Sequence, residues 1–380
     1  MDTNTMTIVY TGSFQPQFRT SLIVDMDVNG KGDGIYVYTL DEETGALHLY
    51  QNVFGVINPA KMCMDSPNRL YAASDTNEFI NWEAGTGGGI YAFESGNDGT
   101  LSEIDRRSSC GVRAIDLCCD QSGQYLLVIN EGTDFCTTEF NKNDDGRYSA
   151  NVRRDEGCVV LFRINERGFE RVCDRYVLPE GVPAHPHSIM IDNDNYIYMT
   201  NTSAGTISIL RLDTGTETLT PVTVVQADGI SGIRGFALHP HLPVFYCTCE
   251  KSGEILIYKF DKDALAARHI QTVIEEEKSN PDPITISHDG GTVYTTDSKQ
   301  GEIKVYSVSQ EGKLVLIQRM QINIGSIYDM AITPSRKWLL LSDMENDSIL
   351  SFPIMNDGGL GKDVVKTPAK TPTGIFIHSF

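Results

Sequence analysis

A segment that opens on a small or turn residue, alternates apolar positions and ends in a polar turn recurs seven times in this chain. The copies are GIYVYTLDEETGAL, GGIYAFESGNDGTL, GCVVLFRINERGFE, GTISILRLDTGTETL, GEILIYKFDKDAL, GEIKVYSVSQEGKL and DSILSFPIMNDGGL. Four of them begin at Gly157, Gly205, Gly253 and Gly301, a spacing of 48 residues three times running. A fixed period of this size is the mark of a repeat architecture, in which no single unit buries its own apolar face.

Upstream of each copy lies a second strand-like run: TIVYTGSF, NRLYAASD, GQYLLVIN, NYIYMTN, PVFYCTCE, GTVYTTD and KWLLLSD. A third precedes most of those, in AKMCMD, AIDLCCD, HSIMID, GFALHP, PITISHD and DMAITP, and TGIFIHS at the C-terminus supplies the seventh. Each unit reads as strand A, tight turn, strand B, loop, strand C, polar turn and strand D, a four-stranded antiparallel blade. Seven such blades predict an all-β, seven-bladed β-propeller, one domain over residues 1–380. The first unit's strand A lies at the far end of the chain, so residues 372 to 378 are expected to pair beside 7 to 14 and close the ring.

The 380 residues carry 31 Lys plus Arg against 51 Asp plus Glu, a formal charge of −20 that argues against nucleic acid or an anionic membrane surface as partner. No run of about 18 apolar residues suggests a membrane span, and MDTNTMTIVY lacks the features of a secretory signal, so a cytoplasmic location is expected. The nine cysteines include no C-x-x-C pair and are expected to be free thiols. Cys247 and Cys249, two apart on a strand, share one sheet face as small packing residues.

Strand A should line the central channel, with the start of A and the end of B on the same upper rim. The A positions include Asn58, Arg113, Asp116, His185, His187, Arg234, Asp282, Tyr328 and Asp329, and the B ends add Asp75, Glu131, Asn201, Glu250, Asp297 and Asp343. His187 opens an apolar strand in VPAHPHSIMID and is expected near Arg234 and Glu250 of the next blade, a trio able to do acid–base chemistry. The second HPH, His239 to His241, falls in an opposite-face turn and reads as structural.

The HPH that opens a blade, the G-x-R of Gly232 to Arg234, the FALHP after it, the Y-x-x-x-E of Tyr246 to Glu250, the NPA of Asn58 to Ala60 and the opening VYTGSF together resemble the seven-bladed lactonase family. That family includes the propeller-type 6-phosphogluconolactonase and the fungal carboxymuconate-lactonizing enzyme. The resemblance implies catalysis by His187, Arg234 and Glu250, with His185 as the other histidine of the HPH, on a small anionic lactone, 6-phosphogluconolactone foremost; the rim positions Arg113, Asn58, Asp75, Glu131, Asn201, Asp297 and Tyr328 are expected to bind that substrate. No cofactor or metal is expected, since acidic groups at the B ends do not form a loop with the converging oxygens a hard cation needs.

Three positions depart from the family pattern. Its asparagine–arginine after a late strand B is Asp297–Ser298 here, its proline–arginine before the last strand A is Ile327–Tyr328, and its histidine after the G-P-R pattern is Gly235. Two cationic contacts are thereby missing. Arg113 and the cations of three long B–C insertions in the first three blades, Arg19, Lys31, Lys142, Arg147, Arg153 and Arg154, are the candidates to replace them. A cycloisomerase using the same histidine and glutamate, and a non-catalytic propeller binding a metabolite or protein at its rim, are the alternative functions.

Overall fold

Seven four-stranded antiparallel sheets stand around a central axis. The computed structural model describes residues 6–16, 30–66, 68–76, 87–132, 136–142, 147–154, 156–178, 185–227, 232–274 and 281–380, with the backbone alone at 136–141 and 148–154. Blades 2 to 7 begin with strands A at Pro59–Ser66, Ala114–Cys119, Pro186–Ile191, Ile233–Leu238, Pro281–Ile286 and Ile327–Ile332. Blade 1 takes its strand A from the C-terminus: Pro372–Ser379 pairs antiparallel with Thr7–Ser13, with Thr7 opposite Ser379. The expected ring closure is present, and the sheet edge that Thr7–Ser13 would otherwise expose is covered.

Strands A touch one another in a closed cycle around the axis. Strands B are packed on both faces by neighbouring blades, and those of blades 3 to 7 are buried at every residue. That explains their nearly continuous apolar runs, whereas strands D are largely exposed. Between blades 4 and 5, for example, Tyr198 lies 5.9 Å from Phe236 and 5.5 Å from Phe245, ring centroid to ring centroid. Cys247 and Cys249 are buried in the same cluster and are free thiols.

The glycine that marks the 48-residue period has a backbone reason. In blades 4 to 7 four residues join strand B to strand C, and the last of them is left-handed: Gly205 (φ 63°), Gly253 (φ 73°), Gly301 (φ 66°) and Asp347 (φ 50°). Glycine adopts that conformation without the Cβ clash that other residues meet. In blade 3 the same junction holds an inserted hairpin, Cys136–Lys142 paired with Tyr148–Arg154.

Candidate functional site

A β-bulge recurs near the start of strand A in all seven blades. In blade 4 Pro186 pairs with Asn201 and Ile189 with Met199; in blade 5 Ile233 pairs with Cys249 and Phe236 with Cys247; in blade 6 Pro281 pairs with Asp297 and Ile284 with Thr295. Blades 1, 2, 3 and 7 carry the same single extra residue. A bulge leaves residues unpaired and re-aims their side chains. His187, Arg234, Asp282 and Tyr328 all stand in these bulges, which is how an inner strand presents polar groups at the mouth of the channel.

The B ends fall into two sets one residue apart. The last paired residues include Asn201, Asp297 and Asp343. Asn201 Oδ1 accepts the N–H of His185 at 3.1 Å and of Ala204 at 3.4 Å. Asp297 Oδ1 accepts those of Lys299 and Gln300 at 3.1 Å, and Asp343 Oδ1 that of Asn346 at 3.1 Å. These three cap the B–C turns. Asp75, Glu131 and Glu250 come one residue later, and because side chains alternate along a strand they turn the other way, to the channel rim. Asn58 is also buried in the framework: its Nδ2 donates to the carbonyl of Asp75 at 3.3 Å and its Oδ1 accepts from Gln15 N–H at 3.0 Å.

Arg113 is held on two sides. Its Nε and second terminal nitrogen donate to the two oxygens of Asp75 at 2.9 and 3.1 Å, and its Nη1 lies 2.5 Å from Glu131 Oε2. Its own backbone is left-handed (φ 60°), a conformation costing a non-glycine residue about 1–2 kcal/mol. The N–H of Arg113 to the Thr76 carbonyl at 3.0 Å and the Glu131 N–H to the Arg113 carbonyl at 2.9 Å hold it there. Burial pulls against the charge of Glu131, but His185 and Arg113 outweigh it and keep that carboxyl at about 2. His185 Nδ1 stands 3.7 Å from Glu131 Oε1.

Within blade 5, Arg234 Nη1 donates to Glu250 Oε2 at 3.2 Å. Its Nε stands 3.0 Å from Asp282 Oδ2, at an angle that makes an ion pair but no hydrogen bond. His187 adjoins this group, since the hydroxyl of the next residue, Ser188, donates to the Arg234 carbonyl at 2.9 Å. Burial, and then the positive charge of Arg234, push the His187 imidazolium down to about 3, so the ring is neutral at physiological pH. Arg234 and Glu250 are thus brought together, Asp282 joins them, and His187 stands on the neighbouring strand within reach of the Arg234 charge.

The deeper channel carries Lys61 and Asp329, 2.5 Å apart, and Asp116, whose Oδ2 accepts the N–H of Ile189 at 3.0 Å. Burial raises the carboxyls of Asp116 and Asp282 to about 6. Lys61 gave no signal in sequence, lying inside an ordinary AKMCMD run. Tyr328 packs edge-on against Phe14, ring centroids 5.5 Å apart, and burial raises its hydroxyl well above the usual range.

Of the insertion cations, Lys31 pairs with Asp347, and Lys142 and Arg147 are exposed. Arg19 and the side chains of Arg153 and Arg154 lie outside the described residues. Among the described residues no group of three or more His, Cys, Asp or Glu side chains is placed to hold a metal ion, and no helix is long and apolar enough to cross a membrane.

The family model for the 7-bladed beta-propeller lactonases matches residues 10–377. The chain belongs to the seven-bladed β-propeller lactonase family. Individual relatives in this family are distant. A 6-phosphogluconolactonase of Serratia proteamaculans is 21% identical over 208 residues, 53% of this chain and 61% of that one, so the chain spans about three-fifths of that relative's length. One of Klebsiella pneumoniae is 23% identical over 234 residues, 59% and 68% of the two chains. The fold is that of a periplasmic gluconolactonase of Pseudomonas aeruginosa, with a TM-score of 0.78 at 16% identity over 98% of this chain and 99% of that one.

Proposed function

We propose that the upper mouth of the channel hydrolyses a sugar-acid lactone to the open acid. The observation that carries this reading is the cluster of Arg234, Glu250 and Asp282 beside a neutral His187, on bulged strands at the mouth of a propeller of the lactonase family.

Lactone opening requires a water oxygen to attack the carbonyl carbon while its proton leaves, an oxyanion to be stabilised, and the ring C–O bond to break with a proton delivered to the departing oxygen. Glu250 holds Arg234 through Oε2, and its Oε1 makes no bond to any described residue, so a water there has a carboxylate to take its proton. A positioned acid–base group contributes about 10²–10⁴-fold. Arg234 supplies positive charge for the oxyanion. A ring that protonates only near 3 is a poor base at neutral pH, so His187 serves as a neutral hydrogen-bonding partner of the carbonyl or of the departing oxygen.

The test is proton release on adding freshly prepared 6-phosphogluconolactone, the substrate in the relatives' names, and in parallel glucono-δ-lactone, each with and without a chelator. Release above the buffer rate that survives the chelator supports the reading. Buffer-rate opening of both lactones overturns it.

A further inference from the structure

The lactonase reading leaves open whether the substrate carries a phosphate, and the charges in the channel bear on this. Among the described residues each of the three channel cations is committed to carboxylates: Arg113 to Asp75 and Glu131, Arg234 to Glu250 and Asp282, and Lys61 to Asp329. With Asp116, the carboxylates outnumber the cations two to one. A phosphate dianion entering this mouth would have to displace a carboxylate from a guanidinium and leave that carboxylate unpaired in a half-buried site.

Asp282 is the member of this set with no other task. Asp75 and Glu131 hold the left-handed Arg113 at the ring wall, and Asp329 bonds a backbone N–H of the closing strand. Asp282 meets Arg234 from the blade beyond, opposite Glu250, and so turns a singly paired guanidinium into a doubly paired one. Its place depends on Gly235: a Cβ at that position would lie 2.4 Å from Thr248 Oγ1 and 2.9 Å from Asp282 Oδ1. Gly235 and the carboxylate at 282 are therefore one steric arrangement, in which the lack of a side chain at 235 leaves a carboxylate room beside the arginine.

We infer that Asp282 is a specificity-determining residue: together with Glu250 it locks Arg234, and so turns the channel against phosphorylated lactones and toward uncharged ones. The repulsive element supplies the discrimination, as is common where one site must reject a near-identical ligand. The inference rests on the lactonase reading and extends it to the substrate's charge.

The experiment compares kcat and KM for glucono-δ-lactone and 6-phosphogluconolactone in the wild type and in Asp282→Asn, at pH 7.5, where Asp282 is ionised. The expected result is a wild-type kcat/KM at least tenfold higher for the uncharged lactone, and a shift of at least tenfold toward the phosphorylated one in Asp282→Asn, carried mainly by KM. A wild type that prefers the phosphorylated lactone overturns the inference, as does a variant whose preference is unchanged. Ligand-observed NMR titration of the wild type with glucose and glucose 6-phosphate, which are not opened, reads the same charge selectivity without turnover. If neither lactone is hydrolysed, the lactonase reading falls. The charge selectivity then stands only if glucose binds at least tenfold more tightly than glucose 6-phosphate, and any smaller preference overturns it.

Discussion

The backbone N–H of Ile375 donates to Asp329 Oδ2 at 2.9 Å, and the other oxygen of that carboxylate holds Lys61 Nζ at 2.5 Å. One side chain thus joins blades 7, 1 and 2 across the point where the chain's two ends meet. Asp329→Ala leaves a buried N–H and a half-buried ammonium unpaired, and is expected to cost about 2–4 kcal/mol in a urea titration. A loss below about 1 kcal/mol would mean that water replaces both contacts.

Removal of residues 372–380 strips blade 1 of its inner strand and bares the edge of Thr7–Ser13. The truncated chain is expected to elute as aggregate in size-exclusion chromatography, because an uncovered, apolar edge strand invites pairing with another chain. A monomeric, cooperatively unfolding product would show that closure is dispensable.

Arg113 is enclosed by two carboxylates, so its substitution tests a framework role against a substrate-binding one. Arg113→Ala strands Asp75 and Glu131, both largely buried, and is expected to lose about 3–5 kcal/mol of stability. A variant of wild-type stability with a raised KM would point instead to direct contact with substrate.

The neutral state of His187 has a spectroscopic consequence. Its ring ¹⁵N resonances, assigned by their absence in His187→Ala, should not titrate between pH 8 and 5, whereas an ordinary histidine changes near 6.5. In turnover, His187→Ala and Glu250→Gln are each expected to lose about 10²-fold or more if both act on the reacting groups. His239→Ala should leave turnover unchanged, since His239 Nδ1 accepts the N–H groups of His241 and Leu242 in an opposite-face turn. Equal losses from all three would indicate damage to the fold.

Asp116 links stability to pH. Its carboxyl is raised to about 6 by burial against about 3.9 in an unfolded chain, so between those values the folded state binds the proton more tightly. Its contribution is therefore present below about 4 and lost as pH rises through 6, above which the buried charge opposes folding. Asp116→Asn can still accept the Ile189 N–H through its amide oxygen. It is expected to gain on the wild type by about 1–2 kcal/mol more at pH 8 than at pH 5 in paired thermal melts. An equal difference at both pH values would refute the assignment.

Most of the architecture is legible in the sequence. The glycines at 205, 253 and 301 set the period, and the orphaned TGIFIHS strand pointed to closure. The meeting of Arg234 with Glu250 was legible too, through their motifs. Asn201 and Asp297 were not separable from Asp75, Glu131 and Glu250, because all are polar residues at the end of an apolar strand and only pairing register tells which is the last paired residue.

The sequence by itself determined the number of blades, their strand order and the chain's return to its own start. These follow from alternation and repetition, and no unit can bury its apolar faces except against its neighbours. Tertiary structure alone decided which side chains meet. The bulge in every strand A adds one residue that no composition or period announces, and since side chains alternate with a period of two, a single residue reverses which way a carboxylate faces. Lys61 and Asp329, or Arg234 and Asp282, lie on different blades, and the pairing of each cation with its carboxylate depends on the closed ring that sets those blades around one channel.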